Sequence, residues 1–589
     1  MKQPMKTATA MALAITLALG GSVSAYGAGR QYDDFDSITS HVDTTVPQKL
    51  GIGSPSGNIS TTADAYYITG TSNPGQSLLL NGDEVAERGI YGSFGVYVEL
   101  SPGENIFTFT QGGAAKTVTI TKSSTGAVYT TDTITDMYPA TASAHVAGST
   151  MTLKCTAPAG AEVTADYAGN TYTLTQTVTA QPGVPAIFQA KVTALDTTVA
   201  RNAGPIQYSM QYNGKRKSAS SVGDLYLYPK GSLPLIQVKD TAATIFASSN
   251  TNGDIKTVAR IGAIDYVTDQ TEGCYQLGMG GWVPKDSVMP ILEGSAQNTL
   301  SGVSFSKTAY GERYKLTGST NPIITSWQTD EKLYVELHHT TTGNIKVPTA
   351  DSALFTDATV SQSGDSIILE LKLDPTKTLW GHVVEYSDNT TTIYCKYKPV
   401  GSGNSQKPLT DIIVGLDAGH GGTDPGALGV ARTLGPVEKD ITYATTIAVK
   451  KRLESLGATV ILSQRGEGKS TVSDRMQASS DGKADFYISL HCNSVAGNGL
   501  KPNGVEIYYY YSRSKPFAEV LLRNIVSETG RANRGVKYSS FRVTLNSLTP
   551  AVLVEMGFLS NPKEYDKLCS KEGIFQMANA IGNSLLELV

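Results

Sequence analysis

Four residues in the last third of the chain, His420, Glu438, His491 and Glu555, occupy short turn-flanked motifs: DAGHGGTDPGALG, GPVEKD, ISLHCNS and VEMGFLSN. Each motif falls where a strand pattern ends or a helix pattern begins. Of the seven histidines, only His420 and His491 follow Gly401. Two imidazoles and one carboxylate can hold a zinc ion and leave a position open for water, while a second carboxylate serves as base. The residue types therefore point to a zinc hydrolase. The glycines of GHGG let the backbone turn sharply and keep side chains out of a cleft, and Asp424-Pro425-Gly426 closes that loop as a turn.

The residues alone leave the third ligand open. Glu438 stands in the first turn of a helix pattern, where a carboxylate also favours the macrodipole by about 0.3–1 kcal/mol. Asp424 and Asp440 are rival ligands. Asp417 and Asn493 are expected to orient loops or ligands. Arg465 and Arg475 read equally as ion-pair and substrate-contact residues, and Glu506, alternating beside tyrosines, reads as a solvated face. Cys492 follows His491 directly, but neighbours on a strand point to opposite faces. No further histidine in this part is available to activate a serine or cysteine nucleophile, so those schemes find no support.

The elements that must position these residues begin after a Gly/Ser-rich linker, residues 400–410. DIIVGLDAG, ATVILSQ, ADFYISLHCN, GVEIYYYYS and AVLVEMGF read as strands. VEKDITYATTIAVKKRLESLG, SDRMQASSDG, KPFAEVLLRNIVSETG and the stretch from Ile574 to Leu588 read as helices. Alternation of this kind predicts an α/β domain over residues 411–589, with a mostly parallel central sheet covered by helices on both faces. Such sheets place ligands at the C-terminal ends of their strands. Between Tyr511 and Phe541 there is room for one ordinary helix and a loop.

On these four motifs, in this order, the region from Asp411 onward resembles the zinc-dependent N-acetylmuramoyl-L-alanine amidases of the amidase-3 group. The resemblance implies His420, Glu438 and His491 as zinc ligands and Glu555 as the catalytic carboxylate. It further implies peptidoglycan as substrate, with zinc-activated water cleaving the amide between N-acetylmuramic acid and L-alanine in wall remodelling or lysis. Three positions depart from the family pattern: Ala418 stands where proline is usual, Gln464 where threonine is favoured, and SSDGKAD replaces an Ala-Asn helix ending. None removes a ligand or the acid/base. The alternatives are a zinc peptidase or deacetylase acting on another wall bond, or a non-catalytic wall-binding protein with a decayed amidase domain.

At 589 residues the chain exceeds what one core supports. Charged residues make up only 17%, below the roughly 25% of ordinary soluble domains, and Thr, Ser, Gly and Tyr fill the gap, a composition of strands and turns. Upstream of the linker the reading is all-β modules: an immunoglobulin-like sandwich at 45–122, a second sandwich-like domain at 135–230, an SH3-like barrel at 234–290, and at 298–399 a β domain similar to those ahead of secreted wall amidases. These modules are expected to bind a cell-wall polymer. Trp282 reads either as a stacking platform or as a core plug, and His338 and His339 as a solvated or packed pair on one strand. Lys2, Lys6, the apolar run Ala10–Leu19 and Val23-Ser24-Ala25 read as a signal peptide over residues 1–25, which predicts a secreted or wall-located protein with no membrane association after cleavage. At a net charge of −4, nothing argues for nucleic acid as a partner, and none is expected. The five cysteines are too sparse for a disulfide framework and are expected to be buried small hydrophobes.

Overall fold

The computed structural model describes residues 31–124, 129–343, 345–463, 475, 478–479 and 481–589. The expected signal peptide, Gln464 and Arg465 lie outside them, as does half of SDRMQASSDG.

The chain is a multidomain, strongly β-rich protein. Between Gly51 and Lys122, sheets of three and five strands enclose Ile68, Phe94, Phe109 and Ile120. Sheets of six and three strands follow to Tyr228, around Leu153, Phe188 and Tyr208. A seven-stranded sheet from Leu235 to Ile291 surrounds Ile236, Ile245, Tyr275 and Val283. Two four-stranded sheets and a two-stranded one, between Asn298 and Tyr397, pack over Leu333, Leu369 and Ile393. Alternating buried and partly buried residues along strands such as Thr150–Pro158 explain these layers, since each strand offers one apolar face.

The C-terminal region contains strands β1 (Ile413–Ala418), β2 (Thr459–Leu462), β3 (Phe486–Asn493), β4 (Val505–Tyr509), β5 (Asn533–Tyr538) and β6 (Ala551–Phe558), with helices α1 (Glu438–Ser455), α2 (Lys515–Thr529), α3 (Pro562–Cys569) and α4 (Lys571–Leu588). Sheet order is β2-β1-β3-β6-β4-β5. All pairs are parallel except β4 against β6. Asn561 caps α3, its side chain accepting from the N–H groups of Lys563 and Glu564. Gly530, left-handed at φ 63°, ends α2.

The strands present two unlike faces. Val414, Leu416, Ile488, Leu490, Val552, Val554 and Ile507 point to one face and share a core with apolar residues of all four helices. The alternate positions, among them Asp417, Ser489, His491, Glu506 and Glu555, belong to the other face. There a small cluster of Tyr487, Val543, Ala551 and Leu553 lies under a 3-10 turn, Arg542–Leu545. Among the described residues the four long helices gather on one side, while the helical residues Arg475 and Ser479 lie against Asp417 and Gly415 on the other.

Other differences have local causes. The stretch between Tyr511 and Phe541 holds a strand, β5, as well as the expected helix, and β4 runs antiparallel to its neighbour β6. Residues before the first module also join the C-terminal core: a helix at Gln31–Thr39 leads into Ile38, Val42 and Val46, and Phe35 meets Phe575 edge-on at 5.0 Å. His338 and His339 sit in the turn after a strand, not within it, and both are buried; His339, at φ 48°, bridges Asp265 and Asp365. Trp282 is partly buried in its sheet opposite Phe246 and Gln276. All five cysteines are free and buried.

Candidate metal centre and active site

The strand ends and the start of α1 bring three of the four singled-out residues together. Ligand atoms of His420, Glu438 and His491 all lie within 4.8 Å of one another. Glu438 is the hub: its Oε2 stands 3.2 Å from His420 Nε2 and its Oε1 3.1 Å from His491 Nδ1. The imidazoles meet edge to face, centroids 5.0 Å apart. Donors at about 2.0–2.1 Å from a tetrahedral zinc would stand about 3.3 Å apart, so the nitrogen–oxygen spacing and the donor set fit that ion.

Backbone and glycine geometry hold the trio. The carboxylate of Glu438 also accepts from the N–H of Ala427 at 2.9 Å and of Cys492 at 3.0 Å. Although burial acts to raise its pKa, the hydrogen bonds from His420, His491 and these two amides hold Glu438 well below the usual carboxylate range. A Cβ on Gly426 would come within 2.6 Å of both Glu438 Oε2 and His420 Cδ2, and one on Gly419 within 2.5 Å of His491 Cε1. The rival residues turn out to be supports. Asp424 Oδ2 lies 2.8 Å from His420 Nδ1, which leaves Nε2 facing Glu438. Asp440 accepts from the N–H of Val437 at the start of α1. His420 itself is left-handed, φ 64°, a conformation that needs outside support. Arg475 supplies it, donating to the carbonyls of Ala418 and His420 at 3.0 Å each. It is a structural residue in this respect. Asp417 is buried and accepts from Ser463 and Ser489.

Glu555 is in register with His491 across β3 and β6, and Glu506 is in register with Glu555 across β4 and β6. Glu555 Oε2 is buried with no hydrogen-bond partner among the described residues. Burial, and then the charges of Glu438 and Glu506, push Glu555 up to about 7, against the pull of His491. Such a carboxylate can take up and give back a proton near neutral pH.

Glu506 overturns the expectation of a solvated face. It is 2% exposed and accepts from Asn493 Nδ2 and Tyr508 Oη, both at 2.8 Å, from Arg534 Nε at 2.9 Å, and from Lys537. These partners keep it ionised, with its pKa lowered despite burial. Arg534 and Lys537 escaped the sequence reading because β5 was not recognised as a strand. The alternation Glu506–Tyr508 was the one available signal.

Comparison with known proteins matches residues 414–587 to the family described as N-acetylmuramoyl-L-alanine amidase. The uncharacterized protein YqiI of Bacillus subtilis is 35% identical over 183 residues, covering 30% of this chain and 85% of that protein. A probable cell wall amidase, LytH, of Staphylococcus saprophyticus is 34% identical over 165 residues, covering 28% of this chain and only 54% of LytH. Among solved structures, the catalytic domain of CwlV, an N-acetylmuramoyl-L-alanine amidase from Bacillus (Paenibacillus) polymyxa, is 33% identical and covers 30% of this chain and 97% of that one, with a TM-score of 0.29. Through its C-terminal region, the chain belongs to the N-acetylmuramoyl-L-alanine amidase family.

Proposed function

We propose that this protein is a secreted zinc hydrolase that cleaves the amide joining N-acetylmuramic acid to L-alanine in peptidoglycan. The observation that carries the reading is the convergence of His420, Glu438 and His491, with Glu555 in register beside them. In this reading His420 Nε2, a carboxylate oxygen of Glu438 and His491 Nδ1 hold the ion. Zinc held there supplies Lewis acidity toward water and the amide carbonyl. Glu555 takes the proton of the attacking water and returns it to the departing amine of L-alanine. Asp424 fixes the tautomer of His420, and the N–H groups of Ala427 and Cys492 keep Glu438 aimed. The similarity to a probable cell wall amidase and the match to the N-acetylmuramoyl-L-alanine amidase family support the substrate. The β modules are assigned to holding the wall polymer, and the apolar N-terminal run to export.

Zinc content and digestion of purified wall, each with and without chelator, test this together. The expected products are stem peptides with a free L-alanine amino terminus and no new reducing sugar ends. Release of acetate or of peptides cut elsewhere would move the activity to another wall bond, and no digestion at any zinc loading would make the protein a wall binder.

A further inference from the structure

At the end of the sheet opposite Glu555 a polar cluster surrounds a second cavity. This cavity, of about 60 Å³, lies where three parts of the chain meet: the seven-stranded sheet with Arg260, the following β module with Ser326 and His382, and the C-terminal region with Tyr510, Tyr511 and Ser547. Arg260 donates to Ser547 Oγ at 3.0 Å. Arg513 donates to the carbonyl of Ser547 at 2.6 Å and lies over the ring of Tyr511, 4.3 Å from its centroid. Neither guanidinium has an ion pair among the described residues. The one nearby pair, Arg542 with Asp240 at 3.3 Å, is already made, and Glu385, whose charge reaches Arg260, makes no ion pair with it. His382 is 3% exposed; its Nε2 meets Ser326 at 2.8 Å and its Nδ1 has no partner, nor has Arg513 Nε.

Partly buried guanidiniums with no carboxylate in contact are costly, because their hydrogen bonds to Ser547 replace the lost water only in part. Burial lowers Arg260 from its ordinary value and Arg513 to about 10, and burial followed by these two charges drives His382 down to about 3. His382 is thus neutral and can donate a hydrogen bond from one nitrogen. The Arg260 guanidinium and the unpartnered Nδ1 of His382 line this small void, and Arg513 stands beside it on the same Ser547; forked donors with an imidazole nitrogen match a tetrahedral oxyanion.

We propose that this cavity binds a phosphate group, drawing the β modules and the C-terminal region together around it. The group is either inorganic phosphate or a phosphodiester of an anionic wall polymer, which offer the same oxygens. Titration calorimetry on the full chain, at matched ionic strength with chloride as reference, uses inorganic phosphate in one arm and a glycerol-phosphate oligomer in the other. Saturable binding in the first arm identifies the free ion; binding only in the second identifies the polymer. Arg260→Gln and Arg513→Gln should each weaken binding at least about tenfold and leave zinc content unchanged. No binding above chloride in either arm overturns the proposal, and so does undiminished binding in both variants. Should the variants fail to fold, phosphate must slow phenylglyoxal labelling of Arg260 and Arg513 in the unaltered protein; unchanged labelling overturns it equally.

Discussion

His491 and Glu555 are paired residues on adjacent parallel strands, so their side chains rise side by side from the face that the long helices leave free. The register explains how two residues far apart in sequence come to share a centre. It also separates two roles: His491 faces Glu438, whereas Glu555 Oε2 has no partner. Glu555→Gln keeps shape and removes the base, so turnover should fall by about 10²–10⁴ while one zinc per chain is retained. Wall digestion and metal analysis on the same sample decide it; a variant that digests wall at the parent rate removes Glu555 from the chemistry.

Zinc uptake should depend steeply on pH. The hydrogen bond and charge of Glu438, followed by those of Asp424, raise His420 to about 9 in the metal-free protein. At neutral pH the ring therefore carries a proton that an incoming cation must displace. Apparent zinc affinity is expected to rise about tenfold per pH unit from pH 6.5 to 9, then level off. The stability of the chelated protein should run the other way. A raised folded-state pKa stabilises fully below the ordinary value of 6.5, and that contribution is lost as pH climbs through 9. Melting curves of chelated protein that stay flat from pH 6.5 to 9.5 would contradict the His420–Glu438 pair.

Much of this centre is legible in the chain because its parts are local. GHGG and ISLHCNS each end a buried strand run, and GPVEKD opens a helix, so topology alone carries His420, His491 and Glu438 to one rim. What depends on distant pairing is not legible. Glu506 looked solvated because nothing in GVEIYYYYS tells that β4 turns antiparallel and sets it opposite Glu555. Asp424 had the chemistry of a ligand; only the fold shows it holding His420 Nδ1 instead. Nor could composition reveal that residues around Ile38 and Val42 complete a core nearly four hundred positions later.

Gly419 tests how tightly the rim is packed. It lacks a positive φ, so alanine is acceptable to the backbone, yet its Cβ would press against the His491 ring at 2.5 Å. Gly419→Ala should fold with a loss of about 1–3 kcal/mol and bind zinc about tenfold or more weakly as the imidazole is pushed aside. A calorimetric zinc titration indistinguishable from that of the parent would show that the ring has room to move.

The far end of β3 is tied to the preceding β module by a buried ion pair. Lys396 Nζ lies 2.9 Å from Asp485 Oδ1, with the side chains 3% and 8% exposed. Lys396 also donates to the carbonyls of Lys483 and Ala484, and Asp485 Oδ2 accepts from the N–H of Ile413. Trp380 donates to the carbonyl of Asp485 beside them. Removing the cation alone leaves a buried carboxylate uncompensated, so Lys396→Ala should destabilise the protein by about 3–5 kcal/mol. Replacing both partners, as Lys396→Met with Asp485→Asn, should cost clearly less, because no unpaired charge remains. Denaturant unfolding distinguishes the two, and equal losses in both would mean that packing rather than charge holds the module. Since the pair lies at the opposite end of β3 from His491, wall digestion per folded molecule should be unchanged in either variant.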